Sequence, residues 1–518
     1  MRLYYRDCLG LDAPSKYFQA TGMRVYRDRL FGKGYNDTIA PEHLPRGYLA
    51  DALNCFIRTE EIVKRTGYTI IGDDVGSAAI QALRGVRFAN GTRELLMVAN
   101  GIVYKWTGSG NWATISGTYT LSATADIDIV IANNNAYFFD GANTVPKYNG
   151  TTITTVAAIP LGSMAKWFHN QLYVAGISGS PNNIQSSDLG DPENFTTGQS
   201  GTLSVNPNDG DYITGLGTLG NELLISKTMR WWSLTGFGTV ALTLSNLNER
   251  ITGYGTLAYK SIINTGNDLL YIGFLGDKPH IRSIRRTREA TLIDGGIVSE
   301  AIENSLNGIN KARVNQTAAI YDGRNAWFCV PFGAATTNNR VYMLDTITNG
   351  WVRHVGINAN VFESFSISTT PQLYFGEASA NSQVYVFDTS TSDNGTAINF
   401  SVTTKRYGAD TPENKKKWKY FKVSAEEIGN YDVTVDFSED GFTYGNLGTL
   451  NLAGTGAVFD NIILDTSKLG STDVKKTTFH VPEGIAYYMQ FQMYDTSATS
   501  QITIRNWEVF AIPRNIRE

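Results

Sequence analysis

Cysteine, histidine, proline and charge are all scarce in this chain of 518 residues, and each shortage narrows what it can be. The three cysteines, Cys8, Cys55 and Cys329, are odd in number and isolated in sequence. A disulfide-stapled scaffold is therefore excluded, and folding in a reducing cytoplasm is expected. The five histidines, His43, His169, His280, His354 and His480, never fall into H-x-H or H-E-x-x-H spacing, so no metal site is expected. No G-x-S-x-G elbow and no phosphate-binding G-x-x-x-x-G-K-[ST] loop occurs, and no cofactor is expected. No apolar run reaches the roughly 18 residues of a membrane span. The N-terminus, MRLYYRDCLGLDAPSKYF, lacks the uninterrupted apolar core of a secretory signal. Charged residues make up 18% of the chain, below the roughly 25% of an ordinary domain. With 44 basic and 48 acidic residues the formal charge is −4, which predicts neither a wrapped nucleic acid nor an anionic membrane as partner.

What the chain has instead is glycine, 51 residues of it, with only 14 prolines, and 12% aromatics. Short β-type runs recur, each closed by Gly, Asn or Asp: ELLMVANGIVYKW (94–106), IDIVIANNNAYFFDG (127–141), KWFHNQLYVAG (166–176), NELLISKTMRWWSLTG (221–236) and NDLLYIGFLGD (267–277). AAIYDGRNAWFCVPFG (318–333), NRVYMLDTITNGWVRHVG (339–356) and QLYFGEASANSQVYVFDTST (372–391) continue the series. Each reads as a strand with a hairpin partner. Radial repetition is the arrangement that leaves such hairpins only short, protected edges. At roughly 40 to 50 residues per blade, residues 72–400 hold about seven blades. The fold class expected is all-β: a β-propeller of about 6–8 blades over 72–400, preceded by an N-terminal arm over 1–71 that contacts a partner. A lysine-rich boundary near 392–415 then leads to a C-terminal β-sandwich over 401–518. Two stretches read as helix, LPRGYLADALNCFIRTEEIVKR (44–65) and SEAIENSLNGI (299–309).

Candidate sites are few. GLGTLG (215–220) matches G-x-G-x-x-G, yet a dinucleotide site needs a helix after it and a strand-like run follows, so a turn is expected. FSEDGFTY (437–444) resembles a sialidase-type Asp box, a hairpin turn whose carboxylate accepts backbone N–H groups. Cys329, within AWFCVPF, reads as a buried small hydrophobe. Two basic clusters remain: Arg282, Arg285, Arg286 and Arg288 in HIRSIRRTRE, and Lys415, Lys416, Lys417 and Lys419 around Trp418. Either could meet DNA phosphates or a neighbouring subunit, and either could be a solvated face.

Three stretches resemble a known family. Asn54, Arg65, Gly67 and Tyr68 in ADALNCFIRTEEIVKRTGYTIIG (50–72) fall as in proteins that open a propeller with Asn, a short strand and Arg-x-Gly-Tyr. KWFHNQLYVAGISGSPNNIQSSDLGDPENF (166–195) is similar to a phage pattern of a Leu-Tyr-Val-Ala-Gly strand, a polar loop and a Ser-x-x-Gly-Asp-Pro-x-x-Phe close. The third is the pair AWFCVPFGAATTNNRVYMLDTITNGWVRH and QLYFGEASANSQVYVFDTS. Together they resemble the β-propeller tail proteins of short-tailed bacteriophages: nozzle, tail-tube B or packaged-DNA stabilisation proteins. The resemblance implies a non-enzymatic virion tail protein, made in the host cytoplasm, that forms a ring of copies of itself, usually a hexamer, below the portal and adaptor. Its partners would be the adaptor, tail fibres or spikes, and genomic DNA passing without sequence readout. The alternative is a tail-borne carbohydrate-binding or glycan-degrading propeller, since 48 acidic residues leave room for a carboxylate pair.

Overall fold

The computed structural model describes residues 22–237, 243, 246–289, 296–408, 413–453, 474–482 and 484–514. They divide into two compact units: the described residues within 68–342 and 356–388, and those within 22–67, 343–355 and 389–514.

The first unit is a β-propeller. Its antiparallel sheets follow one another along the chain, beginning with Ile80–Arg87, Arg93–Ala99, Ile102–Trp106 and Ala113–Thr114. Five sheets in succession carry the chain to Ser283. The hairpin Ala318–Tyr321 with Asn325–Val330 takes the next place in the ring. The last sheet begins with Ala359–Phe365, Gln372–Glu377 and Val384–Phe387. Five sheets thus lie wholly within the unit, and the hairpin and the last sheet fill two further sectors, consistent with the 6–8 blades expected from the repeat length.

Turn chemistry explains the hairpins. The pairs Ala99↔Ile102, Ala132↔Asn135 and Phe168↔Gln171 leave two-residue loops. Their residues are Asn100–Gly101 (φ 50° and 72°), Asn133–Asn134 (43° and 64°) and His169–Asn170 (48° and 60°). Positive φ at both positions gives the turn whose twist matches that of the flanking strands, and asparagine and glycine tolerate it best.

The core lies between successive sheets. Val98 and Val103 of the first pack with Phe138 and Tyr148 of the second. Val130 and Phe139 of the second pack with Leu172 and Val174 of the third. A strand covered on both faces cannot alternate apolar with polar, and Gln171–Ala175 and Asn325–Val330 are buried at every residue. That is the physical origin of the low charge content. The ring closes by strand pairing between distant parts of the chain: Tyr68–Ile71 adds to Val384–Phe387, with Tyr68 opposite Phe387 and Ile71 opposite Val384.

The second unit is a β-sandwich. One sheet is built on Lys416–Glu426 and Thr503–Pro513, flanked by Arg24–Asp28, Ile62–Lys64 and Cys55–Ile57. The other places Asp51–Leu53 beside Phe400–Thr403, followed by Met489–Asp495, Asp432–Glu439 and Gly445–Asn451. Phe421 of one sheet stacks on Phe491 of the other, with centroids 4.0 Å apart and planes at 5°.

This arrangement corrects three expectations. The described part of 1–71 is not a separate arm, because its strands up to Lys64 join the two sheets of the sandwich and Tyr68–Ile71 joins the last sheet of the propeller. The stretch 44–65 is not a helix but four short strands, Tyr48–Leu49, Asp51–Leu53, Cys55–Ile57 and Ile62–Lys64. Burial there alternates with period two, as in Cys55, Phe56 and Ile57, and Asn54, at φ 53°, breaks any helical run. The propeller is also not continuous over 72–400: the chain leaves it over Met343–Val355, where Gly350–Val355 joins Asp51–Leu53 in the sandwich. The other expected helix does form, as Glu300–Ile302 in 3₁₀ and Glu303–Leu306 in α geometry.

Candidate functional site at the propeller axis

The sequence-selected basic clusters fall one in each unit, and neither forms a single patch. Arg282, on the strand Lys278–Ser283, is fully buried, and its guanidinium lies 3.9 Å from the ring centre of Tyr254. Arg285, Arg286 and Arg288 are exposed on the short helix Ile284–Glu289. Of these, Arg288 is committed to Glu222 (2.6 Å), which also holds Arg250 at 3.2 Å. Burial pushes the Glu222 carboxyl up, but hydrogen bonding and charge from Arg288 outweigh it and hold the group below its ordinary value. In the lysine run, strand alternation splits the residues between two faces. Lys416 and Trp418 are buried: the Lys416 Nζ donates to the Tyr487 carbonyl at 3.0 Å and the indole N–H of Trp418 to that of Ala486 at 3.2 Å. Lys415 and Lys417 are exposed and Lys419 is half-buried. Arg282 and Lys416 are therefore corrected from contact candidates to interior residues of their own units.

The other motifs are local structure. GLGTLG is mostly strand, not turn: Gly215 and Gly217 lie within Ile213–Leu219, where an added Cβ would come within 2.4 Å of Ile262 Cδ1 and 2.5 Å of Leu269 Cδ1. Only Gly220 (φ 55°) is in the hairpin turn. FSEDGFTY does form a turn, with Asp440 Oδ1 accepting the Tyr488 N–H at 2.7 Å and the Ser438 hydroxyl donating to the Phe442 carbonyl at 2.6 Å. Cys329 and Cys55 are buried, and burial pushes the Cys329 thiol up to about 12. Cys8 lies outside the described residues.

The densest cluster of charge in the propeller was not singled out from sequence. The first strand of each sheet is the innermost one, and these strands neighbour each other around a closed ring. On these strands or beside their starts sit Arg84, Asp126, Asp128, Lys166, Lys260 and Glu363. Lys260, from the turn that leads into the fifth sheet, places its Nζ 2.8 Å from Asp126 Oδ1 beside the second sheet and 3.2 Å from Asn360 Oδ1 of the last. A side chain that reaches the second and last blades from the fifth spans the axis. Glu363 Oε2 lies 3.4 Å from Arg84 Nη1, and its Oε1 accepts the Gly85 N–H at 3.1 Å. Asp128 accepts the Ala165 N–H at 3.0 Å.

Burial holds the Glu363 carboxyl above its ordinary value against the opposing pull of Arg84 and the Gly85 N–H. The Glu363 charge in turn raises Arg84 further. Burial and then the charges of Asp128 and Asp126 push Tyr259 well above the usual phenol range. Three cations face three anions, a sum of zero, so the collar satisfies itself and leaves no surplus to hold a polyanion. The 2.8 Å bridge across it also leaves no room for a nucleic-acid strand. A sequence signal existed: Arg84 in IQALRGVR, Asp128 in DIVIA, Lys166 in MAKWF and Glu363 in ANVFESF each stand among apolar residues of a first strand. Among the described residues no group of three His, Cys, Asp or Glu could hold a metal ion.

No family model and no curated protein matches the chain. Among solved structures, "YCF48 bound to D1 peptide" is 9% identical with TM-score 0.38, over 62% of this chain and 99% of that one. The Neurospora crassa Pan2 WD40 domain is 9% identical with TM-score 0.37, over 60% and 88%. The N-terminal domain of Nup159 is 10% identical with TM-score 0.36, over 65% and 98%. Likeness at this level carries no argument about function, and the propeller rests on the strand order described above.

Proposed function

We propose that this chain is a structural subunit of a short-tailed phage tail, of the nozzle type: copies of it form a ring below the adaptor that retains packaged DNA and then lets it pass. The observation that carries the reading is what the resemblance residues do. Asn54, Arg65 and Gly67 form one buried assembly in the sandwich, in which Arg65 pairs with Asp393 and Asn54 accepts from Arg65 Nε at 3.1 Å. An added Cβ at Gly67 would come within 1.9 Å of the Ser392 carbonyl oxygen. Tyr68, in the propeller, donates its hydroxyl to the Gly356 carbonyl at 2.6 Å and packs edge-on against Phe375 and Tyr385. Residues matched on pattern alone thus hold buried or packed positions, each within its own unit, which supports the reading.

The axial collar supports the same role by its closure: the propeller is a stiff block, and the passage for DNA lies in the ring of subunits, not in each propeller. In the glycan-active alternative the carboxylates Asp126 and Glu363 would have to be released from Lys260 and Arg84. Mass photometry and negative-stain imaging of the purified chain, alone and with tail adaptor, test the proposal. Rings at an integral multiple of 56.9 kDa are expected. A chain that stays monomeric under all conditions and never joins a tail refutes it, and release of sugars from host polysaccharide would establish the alternative.

A further inference from the structure

The sandwich carries a cleft of about 860 Å³ whose lining is unlike the rest of the chain in charge. Arg27, Arg29, Lys33, Arg46 and Arg505 line it against Asp28 and Glu60, a local balance of five to two in a molecule of net −4. Several of these charges are already engaged. Arg27 pairs with Glu508 at 2.8 Å and Arg505 with Glu61 at 2.6 Å and with Glu426. Asp28 accepts from Tyr407 and from the Trp507 indole. Arg46 donates to the Arg27 carbonyl at 2.7 Å. Arg29 and Lys33 are exposed, and among the described residues neither has a carboxylate partner. The Lys33 Nζ lies 5.8 Å from the centre of the Tyr48 ring.

A further feature points to a ligand. Thr348 lines the same cleft, and its hydroxyl is buried with no hydrogen-bond partner, a state that costs about 1–3 kcal/mol unless something satisfies it. Gly32 and Gly47 form part of the wall, and the side chains of Thr348 and Lys33 pack over them. An arginine fork, a lysine point charge and a hydroxyl donor, carried by loops and turns that border one cleft, suit an oxyanion that accepts from several directions. The volume is that of a small-ligand site.

We propose that this cleft binds phosphate groups, held by Arg29, Lys33 and the Thr348 hydroxyl, and supplied either by a nucleic-acid backbone or by a free polyphosphate. The site stands whether or not the chain assembles into a ring. The test is fluorescence or calorimetric titration of the full chain with inorganic tripolyphosphate, a labelled dT12 strand and oligoglutamate, each at two salt concentrations. Binding of tripolyphosphate or of dT12 is expected, and the tighter of the two identifies the source. The double variant Arg29→Ala/Lys33→Ala should weaken it at least tenfold with an unchanged melting temperature. For dT12 it should also flatten the slope of log K against log salt by about 1.4, two contacts at roughly 0.7 each. Thr348→Val should weaken tripolyphosphate binding without changing that slope. Failure of both phosphate probes to bind, binding indifferent to the double variant, or equal affinity for oligoglutamate overturns the proposal, the last in favour of an acidic protein partner.

Discussion

Arg65 and Asp393 form a two-pronged buried ion pair in the sandwich, Nη1 to Oδ1 at 2.7 Å and Nη2 to Oδ2 at 2.5 Å, although 328 residues separate them in sequence. The guanidinium is fully buried and also donates to the Val355 carbonyl at 3.0 Å and to Asn54. One side chain therefore joins three separate stretches of the unit. Removing one partner of such a pair strands a buried charge at about 3–5 kcal/mol. Asp393→Ala should lower stability by that amount in urea denaturation, followed through Trp418 and Trp507 in the same unit. An effect under about 1 kcal/mol would show that Arg65 finds water or another acceptor.

Lys227 and Asp209 form the matching pair in the propeller, at 2.8 Å with side chains 0% and 6% exposed. Burial pushes the Asp209 carboxyl up, but hydrogen bonds from Lys227 and the Asp211 N–H prevail and hold it below 3.8. A carboxyl depressed in the folded state binds fewer protons there than when unfolded. Its stabilisation is thus complete well above pH 3.8 and is lost as pH falls through the folded value. Melting temperature measured between pH 6 and pH 2.5 should fall less steeply at the acid end in Asp209→Asn than in the parent. The variant should also be less stable at pH 7, because Lys227 loses its counter-ion. Parallel curves for the two proteins would contradict the assignment.

Closure of the propeller depends on the strand Tyr68–Ile71 adding to Val384–Phe387. Ile70 sits opposite Tyr385, and proline there removes a donor and fits poorly within a paired strand. Ile70→Pro should release this blade first. Hydrogen exchange should rise in Gln372–Phe387 before it rises in Arg93–Trp106. Uniform loss of protection across all blades would mean that the ring opens as one unit and that this seam is not its weakest point.

The parts of this fold that are legible in sequence are those written in local code. Asn-Gly, Asn-Asn and His-Asn at fixed places between apolar runs specify two-residue turns, and turns at that spacing specify a propeller. The sandwich was half-legible, because its strands come from both ends of the chain and no local pattern pairs Ile62 with Ile504. The stretch 44–65 reads as helix because its apolar residues are dense enough to fit either period, and only Asn54, at positive φ, tips the balance. The charged collar is visible as isolated charges in apolar strands, but its meaning depends on Lys260 meeting Asp126 across 134 residues. The two basic runs misled for the opposite reason: neighbours in sequence alternate in a strand, so Lys415 and Lys417 face away from Lys416.

Assembly makes the last prediction. Two large apolar side chains stand at hairpin tips of the sandwich, Ile347 with 70% and Phe442 with 75% of its surface exposed. Neither contributes to the core of its unit, so substitution there should change monomer stability by less than about 0.5 kcal/mol. In a ring each copy presents one patch to a different patch on the next, and burying an exposed Ile or Phe contributes roughly 1.5–3 kcal/mol per contact. Ile347→Asp and Phe442→Asp, tested singly, should therefore leave the melting temperature of the monomer in place. At least one of them should raise the concentration needed for ring formation by tenfold or more in mass photometry. If both assemble at the parent concentration, the ring contacts lie on other surfaces. If both lower the melting temperature by several degrees, these tips support the fold and not the assembly.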